Sequence, residues 1–71
     1  MNIDKIKIQI GEIIFNHINS LNNEQLEDMA DACFNEINRY ERMINSYTET
    51  KQAKLNQLRT ELNYINYKLE L

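Results

Sequence analysis

The chain has 71 residues, 42% hydrophobic and 27% charged, which is one small globular domain; with one Gly, no Pro, no Trp, one Cys and one His it has no disulfide framework, zinc cluster or glycine-rich phosphate cradle. No apolar run reaches bilayer length, and the first residues lack the basic-then-apolar order of a secretory leader, so a cytoplasmic protein is expected. The net charge of −3 is uneven: residues 1–22 sum to zero, 23–50 to −5 and 51–71 to +2, a poor overall match to nucleic acid, whose phosphates call for a net basic surface.

The first segment is apolar on two sides. Ile3, Ile6, Ile10, Ile13, Ile14, Ile18 and Leu21 share one helical face with Lys7 and His17, while Ile8 and Phe15 point almost the opposite way. The spacing predicts a helix over 4–20, clamped between subunits or against a target, with Gly11 inside it at a cost of about 1 kcal/mol relative to Ala. The alternative is a strand over 5–10, where Lys and Gln alternate with Ile and Gly11 ends the run. A lone strand needs a partner strand, so that version also requires association.

A helix start follows at Asn22. Its side chain can accept from the first-turn amides, and Gln25 falls at N3, where it can reach back to complete a capping box. Leu21 and Leu26 form a hydrophobic staple, and Glu24, Glu27 and Asp28 place negative charge at the positive end of the helix dipole.

Beyond that cap no Gly or Pro stops the chain. At about 100° per residue, Leu26, Cys33, Ile37, Tyr40, Ile44 and Tyr47 fall in one sector, and Leu55, Leu58, Leu62, Ile65 and Leu69 continue it in phase. The favoured reading is one uninterrupted helix over about 23–70, roughly 70 Å long, whose stripe is an oligomer interface of the coiled-coil type. A stutter from Tyr47 through Lys51 to Leu55 puts a lysine in that seam. The rival is a three-helix bundle with a turn near 45–50, since Ser46-Tyr47-Thr48-Glu49 matches a capping box and Ser46, Thr48 and Thr50 are weak helix formers.

Single chemistry-bearing residues have ordinary explanations. His17 has no second His or Cys at ligand spacing, and Cys33 lies in the seam as a small buried hydrophobe. The acidic group Glu24, Glu27, Asp28 and Asp31 lacks the turning, Gly-containing backbone of a calcium loop. Tyr64, Tyr67 and Leu71, at i, i+3 and i+7, form a second apolar stripe away from the seam. It either docks the two-sided N-terminal helix or, together with Ile8 and Phe15, stays open as a partner-binding patch.

The sequence thus predicts a single all-α domain over 1–71, with an N-terminal helix within 1–21 and a long coiled-coil-like helix within 22–71. It predicts no catalytic residue, cofactor, metal or small-molecule substrate. The expected function is a homo-oligomeric interaction module, whether adaptor, assembly factor or small phage-type inhibitor, partnering itself and another protein. The Asn- and Ile-rich, Gly-poor usage of A+T-rich genomes fits that class. Nucleic-acid binding through Lys51, Lys54, Arg59 and Lys68 is the alternative, a surface-lying membrane helix over 3–21 is a third reading, and an enzyme is the least favoured.

Overall fold

A computed structural model describes residues 2–42 and 49–71. Among them the protein is all-α: α1 (Ile3–Ile10), α2 (Glu12–Asn19), α3 (Asn23–Arg42) and α4 (Glu49–Glu70), with no strand.

Both α1 and α3 begin as their local chemistry dictates. Asn2 Oδ1 accepts from the Lys5 amide at 3.1 Å, and Asp4 lies in the first turn of α1. At α3 the capping box forms in both directions: the Gln25 amide donates to Asn22 Oδ1 at 2.8 Å, and the Asn22 amide donates to Gln25 Oε1 at 3.0 Å.

The helix expected over 4–20 is divided. Gly11 has φ 89° and ψ 150°, a region that only glycine enters at low cost. Its amide donates to Lys7 O at 2.9 Å and closes α1, while its carbonyl accepts from the Phe15 amide at 3.0 Å and opens α2. The strand alternative over 5–10 is overturned as well, because those residues are helical and bonded within α1. α2 ends at Ser20, whose amide donates to Asn16 O and His17 O at 3.1 Å and whose hydroxyl donates to His17 O at 2.7 Å.

The single rod over about 23–70 is also corrected. α3 ends at Arg42, and its most extensive packing is against α4. Arg59 Nη2 lies 2.7 Å from Glu41 Oε1. In one straight helix those residues, 18 apart in sequence, would be separated by roughly 27 Å along the axis. The longest dimension of the molecule is 38 Å, where an unbroken rod would need roughly 70 Å. The physical reason is burial. A rod leaves its whole apolar stripe in water, whereas α4 folded back on α3 covers both stripes at once, each Å² removed from water contributing about 25 cal/mol. The turn expected near 45–50 falls for the most part outside the described residues, as do Ile44 and Tyr47.

One apolar cluster joins all four helices: Ile6 and Ile10 from α1, Ile18 from α2, Leu26, Cys33 and Ile37 from α3, and Leu55, Leu58, Tyr64 and Ile65 from α4. Ile18 and Ile65 are the most deeply enclosed large side chains. A polar link adds to the α1–α4 contact: Thr60 Oγ1 lies 3.3 Å from Gln9 Oε1 and 2.9 Å from Asn56 O.

Candidate binding surfaces

The residues expected to form an oligomer seam face one another within one chain. Leu26, Cys33, Ile37, Leu55, Leu58 and Ile65 are buried, and Tyr40, Leu62 and Leu69 pack half-buried against them. The second stripe of α4 faces the N-terminal helices. Tyr64 is buried, its ring stacks on Phe15 at 5.1 Å between centroids, and its hydroxyl donates to Asn19 Oδ1 at 2.5 Å. Tyr67 stacks on Tyr64 at 6.2 Å. Lys7 Nζ stands 5.8 Å from the Phe15 ring centroid and 4.0 Å from Glu12 Oε1, so the lysine amid the apolar face of the first segment caps this aromatic stack.

Three of the apolar side chains left in water are Ile8, Ile13 and Leu71, at 81%, 87% and 86% exposure. Leu71 lies just beyond the last residue of α4. Ile8 and Ile13 flank the bend at Gly11, and Ile13 also lines a shallow hollow with Ile10, Gly11, Glu12 and Ile14. The bend explains Ile13. In an unbroken helix it would share the buried face of Ile6, Ile10 and Ile14, but the turn at Gly11 rotates α2 and swings it outward. On α3, Phe34 is exposed at 55% and also projects away from the core.

A different surface lies between α3 and α4. Met29, Ala32, Cys33 and Glu36 on one helix face Lys54, Leu58 and Glu61 on the other across an open-sided groove of about 300 Å³. Glu61 is the buried charged residue among those described, only 5% exposed. Among the described residues no donor lies within hydrogen-bonding distance of its carboxylate, and no oxygen is sealed from solvent without a partner, so the group opens towards the groove. Burial pushes its pKa up, Lys54 pulls it down, and Glu36 adds to the rise. Burial likewise pushes the Cys33 thiol up to about 11, with Glu61 and Glu36 adding to the rise and Lys54 opposing it.

Sequence reasoning placed Cys33 in the seam and Lys54 in a basic nucleic-acid-binding tail, but gave no role to Glu61, Glu36 or Asn19. A signal for Glu61 was present: it sits three residues after Leu58 and four before Ile65, a carboxylate on an apolar face. Among the described residues no group of three His, Cys, Asp or Glu side chains is arranged to hold a metal ion, and no helix is long and apolar enough to cross a membrane. Compared with protein-family models, curated proteins and solved structures, the chain matches none.

Proposed function

We propose that this chain is a non-enzymatic, homo-oligomeric helical interaction module, of the adaptor, assembly-factor or small-inhibitor kind, that works by occupying protein surfaces. The observation that supports it is the pair Ile8 and Ile13, both more than four-fifths exposed on either side of the Gly11 bend while the longer stripes of α3 and α4 are covered internally. The apolar surface open to a partner therefore lies at the α1–α2 elbow and not along the α3–α4 stripe.

Charge selects a second copy as occupant. Residues 1–22 sum to zero, with Asp4 and Glu12 against Lys5 and Lys7, so two elbows meet without net repulsion, as a two-fold, self-complementary contact requires. The nucleic-acid alternative has weaker support, because Arg59 pairs with Glu41 and Lys54 faces the Glu61 groove. Light scattering on chromatographed protein tests the reading. The expected result is a mass that doubles between micromolar and submillimolar concentration, and a doubly substituted Ile8→Lys, Ile13→Lys chain that stays monomeric with unchanged helical circular dichroism. A wild-type chain that remains a monomer throughout overturns it.

A further inference from the structure

We propose that the groove between α3 and α4 is a binding site for an organic cation, an alkylguanidinium or alkylammonium group whose apolar stem lies against Met29 and Leu58 while its charge meets Glu61 and Glu36. This site is independent of the elbow contact.

Four observations carry the inference. The groove encloses about 300 Å³, at the small end of sites that take compact organic groups. Its walls are mixed in the way such a ligand needs, with Met29, Ala32 and Leu58 beside two carboxylates. Glu61 is 5% exposed, has no hydrogen-bond donor among the described residues and opens into the groove. A buried carboxylate in that condition lacks the partner that ordinarily compensates its lost hydration. Finally, Lys54 lines the same groove without reaching ion-pair distance of Glu61, so two carboxylates face one ammonium and the site keeps a net negative charge.

A planar guanidinium presents a fork of N–H donors that can bridge two carboxylates, and an ammonium presents three donors at a point. Both carry the aliphatic stem that the apolar wall accommodates. A divalent metal fits less well, because no three ligating side chains converge among the described residues. The same chemistry arrives either as a free small cation or as the arginine side chain of a partner protein.

The test is a titration of the intact chain followed by amide chemical shifts, with n-butylguanidinium chloride in one arm and acetyl-Ala-Arg-Ala-amide in the other. Saturable shifts clustered on Cys33, Glu36, Leu58 and Glu61 in either arm support the site, and the tighter arm assigns the source. Glu61→Gln is expected to weaken binding about tenfold or more, because a charge-assisted contact is lost. Glu36→Gln, at an exposed position that leaves the fold alone, is expected to weaken it several-fold, and it decides the matter should the Glu61 variant misfold. No saturable shift in either arm, or shifts of undiminished affinity in both variants, overturns the proposal.

Discussion

The two helix pairs treat their isoleucines and leucines in opposite ways. α3 and α4, of 20 and 22 residues, are long enough to lay one stripe against another, and they bury it. α1 and α2 have eight residues each, about two turns, which is below the length at which a helix persists unaided in water. They are held by what they dock onto: Ile6, Ile10 and Ile18 enter the common cluster, and Phe15 and Asn19 engage Tyr64. The bend at Gly11 makes that docking possible and leaves Ile8 and Ile13 outside. Apolar content alone does not say which residues are core; the pair with a facing partner has a core, and the pair with a bend has a core and a surface.

The largest effect expected from this contrast is at the enclosed end. Ile65→Ala, at a site of 0% exposure, should cost about 2–5 kcal/mol in urea unfolding, whereas Ile13→Ala, in solvent, should stay within about 0.5 kcal/mol. Equal losses at the two positions would mean that the elbow isoleucine is as enclosed as the core one.

Gly11→Ala comes next, at about 1–3 kcal/mol, because the backbone there has a conformation open to glycine alone. An added Cβ meets nothing within 4 Å at this position, so the whole loss is conformational. A variant of unchanged or greater stability would show instead that α1 and α2 can fuse into one helix. Asn22→Ala should cost about 1 kcal/mol by removing the side-chain half of the α3 cap, read as a lowered urea midpoint at constant slope.

The smallest effect is a pH dependence. The Glu61 carboxyl has a folded pKa raised above its ordinary 4.5, chiefly by burial, so its protonated form fits the folded state better. Its contribution is complete below the unfolded value and is lost as pH rises through the folded one. Wild-type stability should therefore decline on that interval, and Glu61→Gln should remove the decline and leave the protein more stable at neutral pH. A Gln variant that loses stability at neutral pH would mean that the carboxylate has a favourable partner.

Features that depend on near neighbours were legible. The start of α3 rests on Asn22, Gln25 and Leu26, all within one turn, and local hydrogen-bond chemistry suffices to place it. The all-α class followed from periodicity in the same way. Gly11 was visible as a weak point, but whether it would be tolerated or would break the helix depended on α4 being there to receive two short helices rather than one long one. The in-phase stripe from Leu26 to Leu69 misled for a related reason: a rod and a folded-back pair present the same spacing along each helix, and only the burial of one stripe on the other separates them. The Glu61 groove lay beyond reach, since it needs α3 and α4 set side by side before Glu36, Lys54 and Cys33 become its neighbours.

Sequence alone determined that this chain is helical, where α3 begins and which residues are greasy, because those properties are set within a few residues by hydrogen bonding and side-chain shape. Tertiary structure decided which greasy faces meet, which isoleucines remain in water and which carboxylate is drawn into a groove between two helices. Burial is a property of contacts between distant segments, and no window of sequence contains both sides of such a contact.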